Sequence, residues 1–558
     1  MQRPVGAPFG TRSAIHAPRG MAATSQPLAT QAAVHVLRSG GNAFDAALAA
    51  NAVLALTEPT GCGLGGDLFL MAWSAAEQRV VAFNGSGRSP RGSSAEAFAA
   101  ADDRRRGPLS VTVPGCVEAW TAIHQRLGRK PLAELLAPAI EYAREGFPLS
   151  PVIAAEWQRS VPVLSKYPGF ASQFAPGGCG PRAGEFFVNP NLARTLEVIA
   201  AEGRAGFYSG DVAERLTRDA NAAGCPLSLA DLDEHRGEWI EPISTTYRGI
   251  EVLEVGPNTQ GVAALQLLNL MELQPLREWG RESVDTWHWL IEAKKLAFAD
   301  RAAWSADPAM SALPTSERIS KAYATRRAEE IDLSRAAGVY EPLDWPAGAG
   351  DTCYLCTADA EGNLVSWIQS NFIGMGSGLA PGELGFVLQC RGALFDPHPG
   401  RPNSFAPDKR PFHTILPGLL LKDGRPWAAF GVMGGDTQPQ AHAQIVANLV
   451  DFDLDLQGAG DAPRVVHSGL LQPSGALDGS SAADDGGRVH LERGFPPELA
   501  AGLSARGHRL AQAAGVFGGY QAIARAAEWA APFPEDRPGA PGWVGASEPR
   551  KDGQAAGY

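Results

Sequence analysis

The chain has 558 residues, 45% of them hydrophobic and 19% charged, a composition that supports a large buried core and excludes disorder as the main state. Its 60 acidic and 48 basic side chains leave a formal net charge of −12. With no block of Lys or Arg, neither nucleic acid nor an anionic membrane is an expected partner.

No apolar run reaches membrane-spanning length, and the residues around Met1–Gly20 carry prolines and glycines instead of an apolar leader, so a cytoplasmic location is expected. Helical periodicity first appears from Leu28 to Arg38, stopped by Gly40-Gly41. Asn42 is then placed to cap a second helix, Ala43 to Thr57, which Pro59 ends. Strands are expected at Leu68–Trp73, Val80–Phe83 and Ile250–Val255. The helices expected in this half are Leu132–Arg144, Leu192–Ala201, Asp211–Ala222, Ala263–Glu272 and Val284–Ala303.

After residue 351 the pattern turns to strands and tight turns. Thr352–Thr357 and Leu364–Gln369 flank the polar turn Asp359–Asn363 and predict a hairpin. Phe386–Gln389, Thr414–Leu421 and Trp427–Val432 read as further strands. Gln438–Phe452 carries Ala441, Ile445, Val446, Leu449 and Val450 on one face of a helix.

Seven cysteines without paired spacing argue for reduced thiols. Cys353 and Cys356 form a C-x-x-C, but on a strand their side chains point to opposite faces and no second ligand pair follows, so they read as packed residues. Gly61–Gly66 matches G-x-G-x-x-G literally, yet it follows a helix and precedes a strand, the reverse of the dinucleotide fingerprint; close backbone packing is expected there instead. No P-loop, zinc helix or G-x-S-x-G elbow is present.

Thr352 follows the small-residue run Pro346–Gly350 and Asp351. If the chain were cut before it, the freed α-amine, with a reference pKa of about 7.7–8.0, would serve as base for the hydroxyl of the same residue. An ordinary hairpin opening reads the same locally. Met433-Gly434-Gly435-Asp436, between a strand and a helix, has the glycines that let backbone N–H groups face an oxyanion, as does any glycine-stabilised turn.

These segments together resemble the γ-glutamyltransferase family: Gly20–Ala29, Gly41–Ala47, Glu58-Pro59 with its glycine loop, Val113–Gly115, Ser320–Ala324, Gly350-Asp351-Thr352, Gly362-Asn363, Lys409–Pro411, Gly434-Gly435 and Gly545–Arg550 occur in order along the chain. The resemblance implies an α+β, four-layer αββα sandwich of the N-terminal-nucleophile hydrolase type. It implies a precursor that cuts itself between Asp351 and Thr352 into a large chain, 1–351, and a small chain, 352–558. Thr352 would be the nucleophile, Ser370 the hydroxyl beside it, and Gly434 and Gly435 the oxyanion hole. No metal or organic cofactor is implied.

Where the family holds a donor's α-amine, this sequence has Phe372, Arg391 and Leu394. Its paired serines fall at His413 and Thr414, and its carboxylate-binding arginine aligns near Ser86, with Arg88 two residues on. The lid is short between Pro399–Asn403 and Ala406–Pro411, which implies a more open pocket. The expected activity is therefore a self-cleaving threonine amidohydrolase or acyltransferase on a small carboxylate-bearing amide, with water or an amine as acceptor. The alternatives are an oxamate- or glutaryl-type amidase without γ-glutamyl activity and an unprocessed binding protein that retains the fold.

Overall fold

The computed structural model describes residues 12–338, 340, 351–469, 473, 486–512, 515–526 and 542–558; the run Pro346–Gly350 lies outside them. Two antiparallel seven-stranded sheets dominate it. The first has the order Gln554–Gly557, Met21–Thr24, Asp351–Ala358, Leu364–Phe372, Asp67–Ser74, Arg79–Gly85, Glu238–Ile240. The second runs Ile15–Ala17, Trp543–Ser547, Gly519–Arg525, Arg425–Met433, Gly418–Lys422, Ile250–Glu254, Ile243–Tyr247. Both sheets interleave strands from before and after residue 351. A cut there would leave the two pieces sharing every main hydrophobic layer.

The side-chain period of two sorts these layers. Every residue of Leu364–Phe372 is buried, and the strand feeds two cores. Val365 and Trp367 join a cluster with the helices Pro27–Arg38 and Ala43–Thr57, whereas Leu364 and Ile368 face a second cluster with Leu419, Ala429 and Ile523 of the opposite sheet. The helix Ala43–Thr57 is buried on all sides, which suits its nearly unbroken apolar sequence. Its start is fixed by the reciprocal Asn42–Asp45 cap and by Asp359 Oδ2, which accepts the Ala43 N–H at 2.8 Å. The hairpin turn thus also anchors a helix. Gly261–Glu272, Val284–Trp304 and Thr437–Val450 share a third cluster with the other face of the second sheet. No helix among the described residues is long and apolar enough to cross a membrane.

Two expected strands differ. Phe386–Gln389 is not a strand but makes an isolated bridge, Gly65 to Leu388; its apolar residues plug the helical cluster instead. The strand expected over Thr414–Leu421 begins only at Gly418, since Pro417 has no N–H to give a ladder. Cys353 and Cys356 do face opposite clusters.

The sheets approach closely where Tyr354 lies over Gly431: a Cβ at 431 would sit 2.4 Å from the tyrosine ring. Gly431→Ala is expected to destabilise the protein by about 1–3 kcal/mol through overpacking. In denaturant titrations Tyr354→Leu should recover part of that loss, and strict additivity of the two changes would show that the contact does not set the spacing.

Candidate active site

Thr352 stands at a break in strand register. Asp351 pairs with Phe372 and Cys353 with Gln369, so Ser370 and Asn371 together oppose Thr352, a bulge that re-aims side chains. Alternation with Tyr354 and Cys356 turns Thr352 toward the second sheet, and Ser370 shares that face with Ile368. The Thr352 hydroxyl donates to Ser370 Oγ at 3.3 Å, and Ser370 Oγ accepts the Phe372 N–H at 2.9 Å. The bulge leaves Phe372 at φ +77°, a costly conformation for a bulky residue. Thr352 is 2% exposed.

Beneath the bulge lies the glycine loop 61–66. A Cβ at Gly61 would meet Cys353 Sγ at 2.8 Å, at Gly65 the Val387 carbonyl at 2.2 Å, and at Gly66 the Ser370 carbonyl at 2.6 Å. The literal G-x-G-x-x-G is therefore a packing motif. Glu58, which opens this loop, accepts the Ser25 hydroxyl at 2.9 Å and the Cys353 thiol at 3.0 Å. Burial pushes its carboxyl up to about 7, against the opposing pull of Cys353 and Lys551.

The turn after Met433 ends the strand Arg425–Met433 of the second sheet. Tyr354, two residues beyond Thr352, touches Gly431, three before Gly434, and contacts run from the Gly435 carbonyl through Gln260, Thr414 and Arg391 to Phe372 beside the Thr352 bulge. Gly434 and Gly435 have φ of +127° and +57°, so both positions favour glycine. Gln260 Nε2 donates to the Gly435 carbonyl at 3.0 Å and also to the Thr414 carbonyl.

Next to them Arg391 is fully buried. Its Nη1 donates to Thr414 Oγ1 at 2.8 Å and its guanidinium carbon lies 4.6 Å from the Phe372 ring centre. Its Nε and Nη2 have no hydrogen-bond partner. Desolvation lowers its pKa to about 10, with Asp67 opposing. Phe372 and Leu394 pack with Cys390 and Phe412, which makes one apolar wall. His413 Nε2 lies 3.0 Å from Asp67 Oδ2, while Asp67 Oδ1 accepts Gly87 N–H at 2.9 Å and Gln389 Nε2 at 2.8 Å. Burial drives the Asp67 carboxyl up to about 7, although Arg391, Gln389 and Gly87 pull the other way. His413 is held well below its ordinary value by burial and then by Arg391, so its imidazole is neutral.

Thr352, Ser370, Phe372, Arg391, Leu394, His413, Thr414 and the two glycines thus form one contiguous neighbourhood. Arg88 is engaged elsewhere, with Asp307 at 3.0 Å, the Asp408 carbonyl at 3.1 Å and Glu238 at 3.4 Å. The expected openness of the pocket is not what this structure shows. The turn Arg391–Leu394 folds its side chains inward, and Phe372, Arg391, Leu394, His413 and Thr414 are all buried. A groove of about 1140 Å³ lies along Phe174, Cys179 and Phe186, and none of these site residues lines it. His288, Glu292 and His508 have ligand atoms within 4.8 Å of one another. However, the imidazoles bond each other at 2.8 Å and Lys295 already holds Glu292 at 2.7 Å, a closed polar cluster. Asp67 and Gln260 were not named from the sequence, Glu58 only within the Glu58-Pro59 segment and Gln389 only as the end of an expected strand, none with a site role. The one available cue was charge or amide inside apolar runs, as at Asp67 before Leu68–Met71.

Residues 29–558 match the model of the gamma-glutamyltranspeptidase family. The chain is 37% identical to the glutathione hydrolase-like YwrD proenzyme of Bacillus subtilis, over 79% of this chain and 83% of that one. It is 33% identical to the oxamate amidohydrolase proenzyme of Klebsiella pneumoniae, over 97% and 98%. Among solved structures it is similar to a cephalosporin acylase from Bacillus halodurans, with a TM-score of 0.88 at 37% identity, covering 100% of this chain and 99% of that one.

The raised carboxyls make stability depend on pH in a defined direction. Burial pushes the carboxyls of Glu58 and Asp67 up to about 7 in the fold, from ordinary values of 4.5 and 3.8. Between about pH 4 and 7 the folded chain therefore binds more protons than the unfolded one, and stability falls as pH rises, by at most about 1.4 kcal/mol per pH unit for each group. Glu58→Gln should narrow the difference in unfolding free energy between pH 5 and pH 8. An unchanged difference would mean that Glu58 is already ionised in the fold.

Proposed function

Because the chain belongs to the γ-glutamyltranspeptidase family, we propose that it is made as a precursor that cuts itself between Asp351 and Thr352. The matured enzyme, of residues 1–351 and 352–558 in one αββα sandwich, then hydrolyses small amides whose acyl part carries a carboxylate. The observation that carries this is the hydroxyl of Thr352, first residue after the proposed cut, hydrogen-bonded to Ser370 at the register break of the hairpin.

In maturation the Thr352 hydroxyl attacks the Asp351 carbonyl carbon, the acyl group passes from nitrogen to oxygen, and water opens the ester. This frees the α-amine of Thr352. In turnover that amine takes the hydroxyl proton as the oxygen attacks the substrate carbonyl. Backbone N–H groups at Gly434 and Gly435 hold the negative oxygen of the tetrahedral intermediate. The C–N bond breaks, the departing amine leaves with the proton, and water or an amine acceptor releases the acyl group from Thr352.

The acyl pocket is assigned to Phe372, Leu394 and Arg391. Two unpartnered guanidinium N–H groups over an aromatic wall suit a carboxylate, which they can bind in a fork. Arg88, held by Asp307 and Glu238, is the weaker candidate for that contact. The relatives named for oxamate and cephalosporin substrates define the acyl groups to test, oxamate and glutaryl amides.

Denaturing electrophoresis of native-matured protein should show two bands, with Thr352→Ala remaining as one. A single wild-type band would sink the nucleophile. On a panel of γ-glutamyl anilide, glutaryl amide and oxamate, the carboxylated amides without an α-ammonium should lead. Arg391→Gln should lower their kcat/KM by roughly 10- to 100-fold. Dominant γ-glutamyl turnover would overturn the substrate assignment.

A further inference from the structure

Arg301 lies in the last turn of the helix Val284–Trp304, on an element from which no site residue was expected. Its side chain is fully buried, stacked on Phe298 with the guanidinium carbon 3.8 Å from the ring centre and 5.5 Å from that of Phe412. One nitrogen, Nη1, donates both to Gln260 Oε1 at 2.5 Å and to Asp436 Oδ1 at 2.7 Å. These two acceptors sit on either side of the glycine turn. Gln260 returns a hydrogen bond to the Gly435 carbonyl at 3.0 Å, and Asp436 is the residue that follows Gly435.

A burial this complete is expensive for a guanidinium, and the geometry shows what the charge holds. Gly434 and Gly435 occupy positive φ and could flip their peptides at low cost. The Gly435 carbonyl belongs to the peptide that leads into Asp436, so fixing that carbonyl and the Asp436 side chain limits rotation on one side of the turn. From the other side, Gly434 and Gly435 carbonyls accept N–H bonds from Thr437 and Gln438 at 3.1 and 3.2 Å. Gln260 Nε2 also bonds the Thr414 carbonyl, and Thr414 Oγ1 accepts from Arg391. One chain of bonds therefore joins Arg301, the glycine turn and the assigned acyl pocket.

We infer that Arg301 is a positioning residue for acyl transfer. Acting through Gln260 and Asp436, it fixes the orientation of the Gly434-Gly435 peptides so that their N–H groups meet the oxyanion only when the carbonyl carbon becomes tetrahedral. This rests on the activity proposed above. Preorganisation of this kind raises kcat without tightening substrate, because the donors act on charge that develops in the transition state.

The test compares wild type, Arg301→Lys and Gln260→Ala as matured, two-band protein. Arg301→Lys keeps the charge but loses the planar guanidinium stacked on Phe298, and Gln260→Ala cuts the link to the Gly435 carbonyl while Asp436 still holds the cation. Both should lower kcat on the best amide of the panel by about 10-fold or more with KM held within about threefold. A boronic acid matching the acyl group, which forms a tetrahedral adduct on Thr352, should lose affinity in the same proportion. The free carboxylic acid product should bind as it does to wild type. Unchanged kcat in both variants, or loss of product-acid affinity in step with kcat, would overturn the inference. If Arg301→Lys does not mature, Gln260→Ala decides alone. A wild type that neither cuts nor turns over any amide fails the earlier proposal, whereas an active wild type with two equally active variants fails this one.

Discussion

The close approach of Tyr354 to Gly431 sets the distance between the two sheets at the end where the chemistry is proposed. A side chain at 431 would push the strand Arg425–Met433 away from Asp351–Ala358, and the glycine turn after Met433 would move with it. Thr352 and Gly434 are separated by more than eighty residues of chain and belong to different sheets. Their juxtaposition depends on strand packing and on no local motif. Strands from both sides of residue 351 pair within each sheet, so hydrogen-bonded ladders join the two halves independently of the peptide bond 351–352.

Against that rigid frame, the site concentrates buried charge. Asp67, Arg391, Arg301 and Asp436 are all nearly or wholly removed from water, and each unpaired ion there would cost several kcal/mol. The structure limits the cost by sharing. Asp67 receives the Gly87 N–H, the Gln389 amide and the His413 imidazole. Arg301 divides one nitrogen between two acceptors. Arg391 makes a single bond, to Thr414, and its Nε and Nη2, like those of Arg301, have no acceptor. Of these two guanidinium groups, Arg391 is the one that stacks on Phe372 in the proposed acyl pocket, where a bound anion would supply the missing acceptors.

The sequence made local features legible and hid those that arise from long-range pairing. The hairpin around Asp359–Asn363, the Asn42 cap and the opposite facing of Cys353 and Cys356 follow from periods of two and 3.6, and all are present. The run Phe386–Gln389 has the composition of a strand, but nothing local reveals that, among the described residues, it makes just an isolated bridge to Gly65. Ser370 and Arg391 could be named because a family resemblance supplies positions that chemistry alone does not. Asp67 could not, since its partner His413 is 346 residues away, and Arg301 reads as one more cation near a helix end. Glu58 entered only as part of the Glu58-Pro59 segment of the resemblance, and the fold alone sets its carboxyl against Cys353 and Ser25.

The polarity of the acyl pocket follows from which of its charges is available. Asp67 is the carboxylate nearest in kind to a partner for a substrate ammonium, but it carries three donors already and burial favours its protonated form up to about pH 7. His413 is neutral, so it supplies no charge of either sign. Arg391 alone remains, and Phe372 beneath it offers a face that stabilises the guanidinium while contributing no acceptor. An α-ammonium placed about 4 Å from that guanidinium would be opposed by about 4 kcal/mol at an effective dielectric of 20, near a thousandfold in binding. A carboxylate in the same place would be favoured by a similar amount before its own desolvation is charged. In the proposed acyl pocket of Phe372, Arg391 and Leu394, electrostatics alone thus favours a carboxylate over an α-ammonium beside Arg391.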